Sequence, residues 1–353
     1  MIRESIQTLI DGANFSFEEA QGIMREVMSG NATNAQIAAF LAALRMKGET
    51  VEELIAFAEV MREHCRRIHP HVSGRLVDTC GTGGDRIKTF NISTAAAFVV
   101  AGAGVAIAKH GNRSVTSKSG SADVLERLGL NLTLRPEAVQ ANIEQIGVGF
   151  MFAPAFHPAM KFAIQPRREI GIRTVFNVLG PLTNPASANA QLLGVYDAKL
   201  TVPIASALRK LECEEAMVVH GLDGLDEIST IGKTAIALLK EGEVATLEVA
   251  PKDFGVRTAQ ITDIKGTTPD ESAEILFKLL SGQCSPEDPK TAIVLVNSAA
   301  GLIVGGKAED FSYGMELAHE SIESGAAYKK LKTLIKASGG NLSRLEELES
   351  KYG

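Results

Sequence analysis

Three stretches of this chain carry residues whose types and spacing suit an anion and a hard cation. The first runs Val77-Asp78-Thr79-Cys80-Gly81-Thr82-Gly83-Gly84-Asp85, with Thr89, Asn91, Ile92, Ser93 and Thr94 close behind. Gly83 and Gly84 can take positive φ and let a ligand approach the backbone N–H groups closely. Ser93 and Thr94 fall at a helix start, where unpaired N–H groups and the helix dipole favour negative charge. The second stretch is Lys109-His110-Gly111-Asn112-Arg113-Ser114-Val115-Thr116-Ser117, continuing to Ser121. It places Lys109 at the carboxyl end of a strand, where open α/β sheets bind ligands. Asn112, Arg113, Ser114, Ser117 and Ser121 add donors, and Ser121 also reads as a helix N-cap. Two such loops on successive strand ends suit phosphate.

The third stretch is His220-Gly221-Leu222-Asp223-Gly224-Leu225-Asp226-Glu227. Three carboxylates in a glycine-rich loop after a strand can hold Mg²⁺, which is commonly bound by one or two carboxylates together with substrate phosphates. Two lookalikes are set aside. Gly81-Thr82-Gly83-Gly84-Asp85 lacks the third-glycine spacing of a dinucleotide fingerprint, and Gly232-Lys233-Thr234 follows Glu227 where a P-loop needs Gly. Arg167 and Arg168 stand about 100° apart on a helix, so one of them can face a cleft and grip a carboxylate bidentately. His64, His69 and His71 match no zinc signature.

These residues need positioning elements, and the surrounding pattern supplies them. Residues 1 to about 66 read as helices only. Ser16 with Glu19, Thr33 with Gln36 and Thr50 with Glu53 each fit a capping box, and Gly30 and Gly48 fall at helix ends. Ile37, Phe40, Leu41 and Leu44 recur at helical spacing. From Arg75 short β-branched runs alternate with helical patterns: Leu76-Val77, Val105–Ala108, Val148–Phe152, Gln191–Tyr196 and Ala216–His220. That alternation predicts parallel strands. Ala235–Leu239 and Val244–Val249 read as a hairpin around Glu241-Gly242. Residues 157–180 return to helix, Pro181 and Pro185 then bracket a loop, and 157–185 is expected to pack back onto the N-terminal helices. Three helices, near 270–281, 290–304 and 310–337, finish the chain. The expected division is a helical domain of 1–70 with 157–185, and an α/β domain of 71–156 and 186–353.

The bulk properties narrow the class. The formal net charge of −6 supplies no global basic footprint for nucleic acid. Four cysteines without metal or redox spacing point to reduced thiols in an intracellular protein. The start of the chain lacks a signal-peptide pattern, and the longest apolar run is shorter than a membrane span. The expectation is cytoplasmic, with no membrane and no nucleic-acid partner.

The motifs together resemble one family. Gly81 to Asp85, Thr89-Phe90-Asn91-Ile92-Ser93-Thr94, Lys109 to Arg113, Ser117-Lys118-Ser119-Gly120-Ser121-Ala122-Asp123, Arg167-Arg168-Glu169-Ile170-Gly171, Asn177 to Pro185 and His220 through Glu227 resemble the signature blocks of anthranilate phosphoribosyltransferases. They occur in the family's order over nearly the whole chain. The resemblance implies an α/β fold with a smaller all-helical domain, a nucleoside phosphorylase/phosphoribosyltransferase-like architecture with its site in the cleft between domains. It implies a homodimer formed through the helical domain and a role in tryptophan biosynthesis. The implied reaction joins anthranilate to 5-phospho-α-D-ribose 1-diphosphate, giving N-(5-phosphoribosyl)anthranilate and diphosphate.

By the same resemblance Gly81, Gly84, Asp85, Thr89, Asn91 to Thr94, Lys109 to Ser117 and Ser121 hold the phosphoribosyl donor. Gly81, Asn112 and Arg167 contact anthranilate, and Ser93, Asp226 and Glu227 position Mg²⁺, two ions per monomer. Arg86 and Thr116 stand where a smaller residue and a serine are more usual. No general base is assigned; His110 is the nearest candidate. Two other readings are kept for comparison: a pyrimidine nucleoside phosphorylase of related fold, and a non-catalytic relative that binds nucleic acid.

Overall fold

The hydroxyl-x-x-carboxylate and hydroxyl-x-x-carboxamide boxes start three of the first four helices. In the computed structural model, which describes residues 1–83, 87–114, 119–266 and 268–352, α1 spans Ile2–Ile10, α2 Phe17–Met28, α3 Asn34–Lys47 and α4 Val51–Glu63. Ser16, Thr33 and Thr50 each accept the backbone N–H three residues on, and Glu19, Gln36 and Glu53 reach back reciprocally. Two otherwise unpaired donors are satisfied per helix start. Helix α3 buries Ile37, Phe40, Leu41 and Leu44 on one face and ends at Gly48, whose φ of +86° suits glycine.

The α/β part follows in order: β1 Leu76–Gly81, α5 Ile92–Gly102, β2 Ala106–Gly111, α6 Ser121–Arg127, α7 Pro136–Ile146 and β3 Val148–Phe152. Next come α8 Ala153–Phe156, α9 Lys161–Ile170, α10 Phe176–Leu182, β4 Ala190–Gly194, α11 Thr201–Lys210, β5 Glu215–Gly221, β6 Thr234–Lys240 and β7 Glu243–Val249. The chain closes with α12 Ile261–Ile264, α13 Pro269–Leu280, α14 Pro289–Val304, α15 Phe311–Glu323, α16 Ala326–Ala337 and α17 Ser343–Tyr352.

The sheet runs β3-β2-β1-β4-β5-β6-β7. The first five strands are parallel; β6 and β7 form the expected antiparallel hairpin. Successive residues point to opposite faces. Leu192, Met217 and Val219 enter one core, with α5, α13, α14 and α16, while Leu193 and Val218 enter another, with α2, α3, α4, α10 and α11. Strand order reverses between β1 and β4, so the carboxyl ends of these neighbours flank a crevice, the place where open α/β sheets take ligands.

Helix α9 packs against α2 and α3, and α10 against α4. Three expectations need correcting here. Pro181 lies inside α10 instead of opening a loop. The helix ends one residue later, at Leu182, and its terminal carbonyls have outside partners: Pro181 O accepts from Gln191 at 2.8 Å and Leu182 O from Arg62 at 2.9 Å. The segment 310–337 is two helices, broken at Gly325, whose φ is +73°. Finally, α17 follows, a helix whose weakly apolar sequence carries little periodic signal.

Candidate active site

Asp226 is placed by what is missing from its neighbours. Gly81 and Gly194 pair across β1 and β4. A Cβ on Gly194 would lie 1.5 Å from Asp226 O, and one on Gly81 2.6 Å from Asp226 Oδ2. The two glycines thus let the acidic loop cross the strand ends in contact. There Asp226 Oδ2 accepts the Gly83 N–H at 2.9 Å, and Glu227 Oε1 accepts the Ser93 N–H at 3.2 Å. Both carboxylates are buried. They join the glycine-rich turn to the first turn of α5, whose N-cap Asn91 makes no side-chain cap.

Behind this edge lies a buried polar network. Lys109 donates from Nζ to Thr79 O, and to Ser93 Oγ at 3.4 Å. Burial pulls its pKa down, and the Asp78 carboxylate opposes that pull. Asp78 accepts the His110 N–H at 3.2 Å and Asn184 Nδ2 at 2.7 Å. Asn184 also donates to Ala108 O at 2.9 Å, tying β1 and β2 to the segment after α10. Burial pushes the Asp78 carboxyl up to about 6, with Lys109 restraining the shift. His110 lies beside His157, ring centroids 5.0 Å apart. Burial, the larger cause, and His157 hold His110 down to about 3; burial holds His157 to about 4. Both rings are neutral at pH 7.

A strap crosses outside the first loop. Gly266 N–H donates to Lys88 O at 2.6 Å, and Thr89 pairs with Lys265 as an antiparallel bridge. A Cβ on Gly266 would approach Thr89 O to 2.2 Å. Lys88 sits at φ +55°, a left-handed conformation that costs a lysine about 1–2 kcal/mol. On the other side Asp123 Oδ2 accepts the N–H of Ser114 and of Gly120, closing both ends of the second loop.

The opposite wall is helical. Arg167 of α9 stacks its guanidinium over the Phe176 ring, 5.3 Å to the centroid. It has no ion pair among the described residues, and burial lowers its pKa. Met61, Met160, Ile164 and Phe176 give this wall its apolar character. The cavity between the walls measures about 490 Å³, the size of a small-molecule site. Asn91 Oδ1 and Thr94 Oγ1 are buried on its lining without a partner among the described residues.

Residues 73–328 match the glycosyl transferase family a/b domain, and residues 3–65 its helical bundle domain. The anthranilate phosphoribosyltransferase of Desulfosudis oleivorans is 50% identical over 341 residues, covering 97% of this chain and 100% of that one. The crystal structure of the Thermus thermophilus enzyme superposes with a TM-score of 0.89 at 39% identity, over 95% of this chain and 99% of that one. The Saccharomyces cerevisiae enzyme in complex with PRPP and Mg gives 0.88 at 29% identity, over 96% and 98%.

The chain belongs to the anthranilate phosphoribosyltransferase family.

Of the residues that the family resemblance singled out, Gly81, Thr89, Asn91, Ile92, Ser93, Thr94, Lys109, His110, Gly111, Asn112, Arg113, Ser114, Ser121, Arg167, Asp226 and Glu227 all line this one cavity. Gly84, Asp85, Arg86, Val115, Thr116 and Ser117 lie outside the described residues. Four details differ from expectation. Lys109 lies inside β2, which runs on to Gly111, and is buried against Thr79. Arg113 ion-pairs with Glu126 at 2.7 Å and Asp123 at 3.1 Å on α6. Ser121 is the first helical residue; Gly120 takes the N-cap position. Asp223 turns into its own loop, accepting from Leu225 N–H and Ser229 Oγ–H. The acidic trio therefore reduces to a pair. Sequence reasoning missed His157, whose only cue was its place just before Pro158 at the return to helix.

Proposed function

We infer that the chain transfers the phosphoribosyl group of 5-phospho-α-D-ribose 1-diphosphate to the amine of anthranilate, releasing diphosphate, as a step of tryptophan biosynthesis. The observation that carries this reading is the pairing of Asp226 and Glu227 with Gly83 and Ser93 at the strand switch point, opposite an arginine without an ion pair among the described residues. Phosphate chemistry is supported on one wall and carboxylate recognition on the other. A pyrimidine nucleoside phosphorylase would have no carboxylate for Arg167 to hold, and a nucleic-acid binder no use for the acidic pair.

The donor is read as lying along the first and second loops, on Gly81, Thr89, Asn91 to Thr94 and Lys109 to Ser114, with Gly84, Asp85, Val115 to Ser117 and Ser121 completing the set. Among the described residues no group of three or more His, Cys, Asp or Glu could hold a metal by itself. Two adjacent buried carboxylates fit Mg²⁺ that completes its octahedron with diphosphate oxygens and water, and Ser93, Asp226 and Glu227 are the residues assigned to it. Two ions per monomer are part of this reading. Bound there, Mg²⁺ neutralises charge on the departing diphosphate.

As the C1–oxygen bond breaks, positive charge grows on the ribose and negative charge on the leaving group. The positive end of the α5 dipole favours that charge; its first N–H groups already bond Phe90 O, Glu227 Oε1 and Asn91 O, so the field is fixed before reaction and costs little reorganisation. The Arg167 guanidinium takes the anthranilate carboxylate, with Asn112 and Gly81 beside the ring. An aromatic amine is neutral near pH 7 and needs placement more than activation. His110, neutral in its buried site, is a proton acceptor by charge state, though its role is read here as shaping the acceptor pocket. The C1–N bond then forms and the amine proton leaves to solvent or diphosphate.

The division into a helical part of 1–70 with 157–185 and an α/β part of 71–156 and 186–353 belongs to the same reading. So does a cytoplasmic homodimer joined through the helical part, which the exposed Ile10 and Met46 support. Among the described residues no helix is long and apolar enough to cross a membrane. The deciding experiment mixes protein, Mg²⁺, 5-phosphoribosyl diphosphate and anthranilate and follows loss of anthranilate fluorescence. Decay that needs all four components is expected; its absence, with phosphorolysis of thymidine or uridine instead, overturns the assignment.

A further inference from the structure

Helix α14 is buried along almost its whole length, and its residues 292–304 are apolar or small apart from one amide. Asn297 is wholly inaccessible, a position where a leucine would pack without cost to desolvation. Its side chain spends its hydrogen bonds on the backbone of one residue, on the two peptide units either side of its Cα, and on its own helix. Oδ1 accepts the Ile228 N–H at 2.9 Å, while Nδ2 donates to Ile228 O at 3.0 Å and to Ile293 O at 2.8 Å. The reverse orientation of the amide would set Nδ2 against an N–H and Oδ1 against two carbonyls, so the assignment is unambiguous. Asn297 thus pairs with the Ile228 backbone as a neighbouring strand would, reading both its donor and its acceptor.

Ile228 directly follows Glu227, and the N–H that Asn297 holds belongs to the peptide plane leaving Glu227. On the upstream side, Gly194 leaves room for Asp226 O and Gly221 N–H bonds Leu225 O at 2.9 Å. The acidic pair is therefore pinned at both ends, and the downstream pin is a side chain 69 residues away in sequence. We propose that Asn297 is a positioning residue for cation binding: it fixes the peptide after Glu227 so that the Asp226 and Glu227 carboxylates point together at the cation and the donor diphosphate. The inference rests on the reading of that pair given above. It explains why a fully buried amide stands among the apolar and small residues of α14.

The test measures Mn²⁺ binding, by the free-ion electron paramagnetic resonance signal, at saturating 5-phosphoribosyl diphosphate. Asn297→Ala, Glu227→Ala and the unsubstituted protein are compared, with melting temperature and anthranilate KM recorded alongside. Loss of a residue that orients a metal ligand weakens metal affinity by about 10–100-fold. Asn297→Ala is expected to weaken Mn²⁺ at least tenfold while anthranilate KM stays within about twofold, and Asn297→Gln not to restore it. A lower melting temperature with unchanged Mn²⁺ affinity, while Glu227→Ala is impaired, overturns the positioning role alone. Unchanged affinity in both variants overturns it together with the reading of the acidic pair. If Asn297→Ala does not fold, amide exchange in the unsubstituted protein decides the matter. Ile228 N–H protected as strongly as the β5 amides supports the proposal; exchange at the rate of an open loop overturns it.

Discussion

On the sheet side of the cleft the ligand meets backbone amides and carboxylates set by strand ends, while on the helical side it meets thioether, aliphatic and aromatic side chains with a single guanidinium. The first wall is held from behind: Lys109, Asp78, Asn184 and the Thr79 carbonyl form one buried network, and the strap through Gly266 holds it from outside. The second wall is held mainly by packing, and Ile164 on it remains 45% exposed. Polar groups fixed in advance suit an anion whose charge grows during reaction. Apolar surface with a guanidinium set in it suits a flat acceptor that must enter, be oriented and leave. The contrast teaches where each substitution should act.

The largest effect should come from the sheet wall. Replacing Asp226 and Glu227 together with Ala should cost several kcal/mol of transition-state stabilisation, on the order of 10³-fold or more in Mg²⁺-dependent turnover; turnover close to that of the parent protein would refute the metal role. Next is the guanidinium on the helical wall. Arg167→Ala should raise anthranilate KM about 10–100-fold, the loss of a charge-assisted pair worth ~1.5–3 kcal/mol, and leave donor KM nearly unmoved. An unchanged anthranilate KM would sink that assignment. Gly266→Ala sharpens the comparison from outside the cleft: its methyl must push Thr89 aside, and overpacking of this kind costs about 1–3 kcal/mol. Donor KM should rise several-fold with anthranilate KM held, and equal changes in both would erase the distinction between walls.

The smallest effect on turnover concerns the histidines between the walls. His110 and His157 are held near 3 and 4, below the usual 6.5. The folded protein then binds fewer protons than the unfolded chain at mildly acid pH. Their contribution is complete above about pH 6.5 and is lost as pH falls toward 3–4. At pH 5 each should have lost about 2 kcal/mol, and His157→Gln should flatten the fall in melting temperature between pH 7 and 5. An equally steep fall in the variant would show that acid sensitivity arises elsewhere.

What could be read in advance was what local pattern encodes. The three capping boxes, the glycine stops at Gly30 and Gly48, the hairpin at Glu241-Gly242 and the loops at strand ends depend on residues within a few positions of one another. The outcome for Asp223 depends on which way a turn closes, and its use by Ser229 and Leu225 is invisible to composition. Lys109 lost its free ammonium to Thr79 O, a partner 30 residues away. The bonds from Gly83 to Asp226 and from Ser93 to Glu227 span 143 and 134 residues, so the sequence supplied the groups but only the sheet order brought them together. The break at Gly325 was missed because one apolar stripe continues on both sides of it.

The packing of α9 and α10 against α2, α3 and α4 has a consequence for synthesis. One apolar cluster joins Ile23, Phe40 and Phe57 to Ala163, Phe176 and Leu179, so the first four helices emerge from the ribosome well before the residues that cover them. At ~5–20 residues per second the wait is on the order of ten seconds. During that interval their apolar faces are open to chaperones or to a second nascent chain.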